Sequence, residues 1–92
     1  MEFVVLYNVR DAVDRSRLLE VYPRHKAYFE AFHAAGGGLI ALGPFLTADP
    51  AGGSMGIFTS REDAERFIAK DPFVTEGLAD PRILEWNAVR FE

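Results

Sequence analysis

The chain has 92 residues, a net charge of -4 and no cysteine. That length makes one domain, spanning 1–92, near the small end of what folds without staples. The missing cysteine excludes disulfides and thiolate metal sites, and an acidic chain with no Lys/Arg cluster argues against a nucleic-acid surface.

The first stretch, EFVVLYNV (2–9), is rich in β-branched and aromatic residues and predicts a strand. Phe3, Val5, Tyr7 and Val9 point one way, Val4 and Leu6 the other. This apolar start carries Glu2, has no basic leader and is too short to span a bilayer. The expected setting is cytoplasmic, with no membrane partner. From about Asp14 to Ala35, Leu18, Val21, Tyr22, His25, Phe29 and Phe32 recur at three- and four-residue steps, the helical period. Pro23 predicts a kink or a division into two helical pieces. The glycines of AGGGL end that helix, because glycine takes the left-handed conformation without penalty.

LIALGPF (39–45) predicts a second strand, stopped by Gly43-Pro44, and ADPAGGS a loop. SMGIFT (54–59) predicts a third strand. Ser60 then opens a second helix, with Asp63 close to completing a capping box. Pro72 stops that helix, FVTEGLA makes a short helical turn, and RILEWNAVRF (82–91) is the last predicted strand. The order β-α-β-β-α-β predicts an α+β, ferredoxin-like fold: a four-stranded antiparallel sheet with helices on one face.

The opposite sheet face reads as dry. The last strand offers Leu84, Trp86 and Ala88 on one side and Ile83, Val89 and Phe91 on the other, without the clean alternation of a wetted sheet. Each large side chain left bare forgoes about 1.5–3 kcal/mol of burial. A second copy is the simplest cover, so a homodimer is expected, hiding either the Trp86 or the Phe91 side.

Asp71 is the oddest placement. A carboxylate at the end of the helix SREDAERFI meets the negative end of its dipole. Two readings fit: an Asp-Pro turn, or a carboxylate held there to orient a partner. His25 also has two readings. On an apolar stripe it is either a packed core residue or a general base whose tautomer a carboxylate fixes.

Four motifs bear on the choice. RHKAYFEAF containing His25, GGGLIALGPF, KDPFVTEGL and ILEW occur in this order and together resemble the YCII-related (YciI-like) family. The resemblance spans nearly the whole chain. It implies a dimeric α+β barrel and an active site built from the helix histidine and the Asp-Pro-aromatic aspartate, here His25 and Asp71. It further implies chemistry akin to a dehydrochlorinase acting on a chlorinated lactone, or to muconolactone isomerases. One departure stands out: Glu85 precedes Trp86 where the pattern has proline, at a point expected to border the pocket.

Around that pair, Gly43 and Pro44 form a turn that lets backbone approach a ligand or a partner chain. Ser54, Phe73 and Trp86 complete the candidate substrate-binding set. Tyr7, Tyr28, Phe45, Phe73 and Trp86 either line an apolar cavity or make plain core. Arg17 and Arg24 either hold an anionic substrate or are ordinary exposed arginines. His33, about 80° from His25 around the helix, is expected outside. No ligand spacing suggests a metal, and the glycines precede a strand instead of opening a helix, so no nucleotide or other cofactor is expected. The expected function is a cofactor-independent lyase or isomerase acting on a small cyclic or carbonyl compound. The alternative is a non-catalytic module that binds a small molecule or serves a larger assembly.

Overall fold

The strand read at 2–9 forms as β1 (Glu2–Val9) and runs through the middle of the sheet, between two antiparallel neighbours. A computed structural model of the chain describes residues 1–47, 49, 50 and 52–91. After β1 come α1 (Arg15–Ala34), β2 (Leu39–Pro44), β3 (Ser54–Phe58), α2 (Arg61–Lys70), α3 (Pro72–Thr75) and β4 (Ala79–Trp86). The sheet order β2-β3-β1-β4 with antiparallel pairing is the ferredoxin-like arrangement.

The alternation in β1 decides which side is core. Val5 and Tyr7 are buried beneath the helices with Leu39, Phe58, Ala64, Phe67 and Ala79. Directly paired residues share a face, so Val4, Leu6, Met55, Ile57, Leu84 and Trp86 lie together on the opposite side. Leu84 and Trp86 are 42% and 45% exposed, so that side is apolar and open in one chain. Among the described residues, no helix is long and apolar enough to cross a membrane.

Three expectations need correction. Gly43 and Pro44 do not form a turn: they are the last residues of β2, paired with Met55 and Ser54, and proline is tolerated there because β2 is an edge strand. Pro23 does not divide the helix: α1 is continuous from Arg15 to Ala34. Proline deprives only the carbonyl four residues back, on Leu19, which is 60% exposed and open to water. The last strand is shifted, running over Ala79–Trp86 in place of 82–91. Pro81 does not block it, because β4 is an edge strand with a side that needs no donors. Trp86 pairs with Glu2, where β1 begins, so residues beyond it have no strand to join. Val89 and Phe91 therefore lie outside the sheet, and the apolar outer face is the Trp86 side.

The helix ends follow local rules. Gly36 (φ 76°) closes α1, with Gly36 N–H donating to His33 and Gly37 N–H to Phe32. Ser60 caps α2 by accepting from the Asp63 N–H at 3.1 Å. Asp63 itself takes the Thr59 hydroxyl, so the reciprocal half of a capping box is absent.

Candidate active site

Asp71 ends one helix and begins another. Proline at 72 forces the preceding residue out of helical ψ, and Asp71 sits at φ -65°, ψ 124°. It is thus the C-cap of α2 and the N-cap of α3, where its Oδ1 accepts from the Phe73 N–H at 3.1 Å. The unfavourable dipole of α2 is met by the favourable end of α3. Gly77 (φ 72°) then closes α3, with Leu78 N–H donating to Phe73, and leads the chain directly into β4.

The same Oδ1 lies 2.7 Å from His25 Nδ1. Asp71 is fully buried and His25 nearly so, at 8% exposed. Both readings of Asp71 hold at once: it makes the Asp-Pro turn, and the turn aims it at the histidine. When the carboxylate is ionised it can only accept, so Nδ1 carries the hydrogen and Nε2 keeps its lone pair. The His25 ring stacks on Phe73, 4.1 Å between centroids at 11°, and meets the Phe29 edge at 5.2 Å. Rings on both sides hold the imidazole in one orientation.

His25 lines a cavity of about 220 Å³. Of the residues expected from sequence, Gly43, Pro44, Ser54 and Phe73 line it with His25, as does Tyr7. Tyr22, Phe29, Leu42 and Met55 complete the wall. Those four were not in the expected binding set. Tyr22 and Phe29, three before and four after His25, carried a signal in their shared stripe. Leu42 and Met55 carried none beyond neighbouring Gly43 and Ser54.

Trp86 is not brought to this cavity. It lies on the outer face, in a separate depression with Val4, Leu6, Met55, Leu84 and Glu85. Glu85 does not border the His25 cavity either; it pairs with Arg61 at 3.5 Å. Tyr28 belongs to the core, its hydroxyl donating to the Phe67 carbonyl at 2.7 Å. Phe45 borders a more open depression with Leu6, Leu46, Thr47 and Asp49. Arg17 and Arg24 are both engaged by Glu76, Arg17 at 2.7 Å. His33 is exposed, as its helical angle required. Among the described residues, no cluster of three or more His, Cys, Asp or Glu side chains is placed to hold a metal.

Two polar atoms near the site lack partners. The Tyr7 hydroxyl and Asp71 Oδ2 are both buried without a hydrogen bond. Burial first, then the Asp71 charge and its acceptor oxygens, push the Tyr7 phenol far up, so it stays protonated.

The YCII-related domain family matches residues 1–87. The chain belongs to that family. This YCII-related protein is similar to 5-chloro-2-hydroxyhydroquinone dehydrochlorinase (TftG) from Burkholderia phenoliruptrix AC1100, solved in complex with 2,5-dihydroxybenzoquinone. The two are 25% identical, with a TM-score of 0.72 over 95% of this chain and 94% of that one. SnoaB, a cofactor-independent oxygenase from Streptomyces nogalater, is 16% identical with a TM-score of 0.54, over 98% of this chain and 93% of that one, and shows the fold alone. No curated protein sequence matches significantly. The similar dehydrochlorinase is named for a chlorinated hydroxyhydroquinone, not for the lactone expected above.

Proposed function

We propose that this YCII-related protein is a cofactor-independent lyase or isomerase acting on a small hydroxylated or carbonyl-bearing ring. The observation that carries the reading is the His25–Asp71 contact of 2.7 Å, with His25 on the wall of an otherwise mainly apolar cavity. A sealed core histidine has no such opening; a general base requires one. A volume of about 220 Å³ suits one six-membered ring. Phe29, Phe73 and Tyr22 offer ring faces and edges to it, while the Ser54 and Tyr22 hydroxyls are polar groups available for orientation.

In this scheme His25 Nε2 takes a proton from a hydroxyl or from carbon beside a carbonyl. The Asp71 carboxylate stabilises the imidazolium that results and holds its orientation. In an isomerase the proton returns at another ring position. In a dehydrochlorinase the released electron pair moves through the ring and expels chloride, a net loss of HCl that needs no oxidant or metal. The similarity to TftG favours the second outcome.

The proposal includes a homodimer covering the Leu84–Trp86 side of the sheet. Sedimentation at micromolar concentration should give a species above the 10.3 kDa of one chain. Only the monomer at that concentration would sink this part.

For the chemistry, the test is turnover on chlorinated hydroxyhydroquinones and small lactones, followed by chloride release and absorbance. His25→Asn and Asp71→Asn should retain the fold and lose turnover by roughly 10²–10⁴-fold, the usual share of a positioned acid–base group. Turnover unaffected by either change would overturn the assignment. Saturable binding of these rings without turnover would favour the binding module instead.

A further inference from the structure

The Asp71 carboxylate is unevenly held. Oδ1 receives both His25 Nδ1 and the Phe73 N–H, whereas Oδ2 is buried with no donor. A carboxylate fixed through one oxygen turns readily about its Cβ–Cγ bond, and turning misaims the bond to His25. An ionised carboxylate buried with an empty acceptor position is also poorly compensated for lost water.

A second unpaired buried group borders the cavity that His25 lines. The Tyr7 hydroxyl has no partner, Tyr7 is 5% exposed, and its ring lines the same cavity as His25. After burial itself, the Asp71 carboxylate is the group that acts most strongly on this phenol. β1 is an inner strand, and Tyr7 is pinned there between Ser54 and Pro81 on the neighbouring strands. The two orphan atoms are a donor and an acceptor, and each supplies what the other lacks.

We propose that Tyr7 is a positioning residue whose hydroxyl donates to Asp71 Oδ2, locking the carboxylate plane and thereby the tautomer of His25. The inference rests on the general-base reading above only for its catalytic meaning; the contact itself is independent of any activity. Tyrosine suits the task because a phenol that stays protonated donates without adding positive charge. Lysine or arginine there would neutralise Asp71 and deprive the imidazolium of its counter-charge. With Tyr7 in place the carboxylate has donors on both oxygens and keeps its full charge for His25.

The test is nuclear magnetic resonance on the intact chain with labelled histidine, at a pH where His25 is neutral, and with no ligand present. Wild type should show His25 overwhelmingly in the Nδ1–H form, together with a slowly exchanging Tyr7 hydroxyl proton. In Tyr7→Phe, the ring-nitrogen shifts should move toward the Nε2–H form, because an unlocked or protonated Asp71 no longer demands a hydrogen on Nδ1. In Asp71→Asn, the Tyr7 hydroxyl proton should shift or exchange fast. Unchanged His25 nitrogens in a folded Tyr7→Phe protein would overturn the proposal, as would a Tyr7 hydroxyl indifferent to Asp71→Asn. If tautomer and hydroxyl behave as expected while no ring compound is turned over, the positioning contact stands and the catalytic reading fails.

Discussion

Along α1 the protein builds two aromatic neighbourhoods to different ends. Toward the C-terminal half, Phe32 and Tyr28 meet Phe67 at 5.1 and 5.0 Å between centroids, and Phe58 meets Phe67 at 5.1 Å. Phe58 and Phe67 are fully buried, and the one hydroxyl in the group is bonded to a backbone carbonyl. Centred about one turn before Tyr28, on His25, Tyr22 and Phe29 instead surround a histidine stacked on Phe73. There a cavity remains, and two buried polar atoms lack partners. The first neighbourhood is filled and satisfied; the second is neither. Closed packing and the candidate site are thus separate neighbourhoods of one helix, and unsatisfied polar groups beside open space distinguish the second.

The largest expected effect comes from making the same change at both ends. Phe67→Ala removes a fully buried ring from the closed cluster and should cost about 3–5 kcal/mol in urea unfolding. Phe73→Ala removes a partly exposed ring that already faces a cavity. It should cost only about 1–2 kcal/mol, less than a fully buried ring contributes. The order reverses at the site: Phe73→Ala frees the His25 ring and should broaden its resonances, and Phe67→Ala should not. Equal stability losses at the two positions would erase the distinction.

The sequence disclosed the site better than it disclosed the wall around it. His25 and Asp71 were legible because each sat awkwardly for its local surroundings, a polar ring on an apolar stripe and an acid at a helix C-terminus. The short helical turn after Pro72 was legible too; what the sequence did not disclose is that the Asp71 side chain caps it through the Phe73 N–H. Trp86 was read into the pocket by its motif, yet strand register puts it on the opposite sheet face, and register depends on pairing partners far along the chain. Pro23 was expected to kink or divide its helix, and the last strand was expected to begin only after Pro81. Each proline is tolerated because the group deprived of a bond lies at a surface or an edge, and local sequence does not encode that exposure. Tyr7 was legible as a strand aromatic, whereas its relation to Asp71 joins β1 to a turn in the other half of the chain.

A smaller effect distinguishes how α1 is fastened in each neighbourhood. On the closed side the fastening is neutral: the Tyr28 hydroxyl donates to Phe67 O, which also accepts the Asp71 N–H. Tyr28→Phe therefore leaves that carbonyl with a partner and should cost about 0.5–1.5 kcal/mol. Burial and, after it, the Asp71 charge push the Tyr28 phenol up to about 12, with Arg66 opposing. An unfolded tyrosine titrates near 10. The folded value is the higher one, so this contribution is intact below pH about 10 and is lost as pH rises from there through about 12. Tyr28→Phe should flatten part of the alkaline fall in melting temperature. Tyr7, raised further still, contributes in the same direction.

On the open side the fastening is ionic, and it should break at the other end of the pH scale. Glu76, the C-cap of α3, holds Arg17 at 2.7 Å and also Arg24, joining α3 to α1 across the stacked His25 and Phe73. Hydrogen bonding from Arg24, foremost, keeps the Glu76 carboxyl below its usual range, and burial opposes this. Its folded pKa lies below the unfolded one, so the fastening is fully present above the unfolded glutamate value of about 4.3. It is lost as pH falls below that through the folded value. Both arginines are substantially exposed, so salt should weaken the same contacts over a screening length of about 10 Å at 0.1 M. Glu76→Gln should be the mildest change of all in global stability. Its effect should be local: faster hydrogen exchange at the Phe73–Leu78 amides at neutral pH and low salt. Raising the salt, or lowering the pH below the unfolded glutamate value and through the folded one, should bring wild type toward the variant. Equal exchange in the two proteins at low salt would show that packing alone docks α3, and that the open neighbourhood is fastened no differently from the closed one.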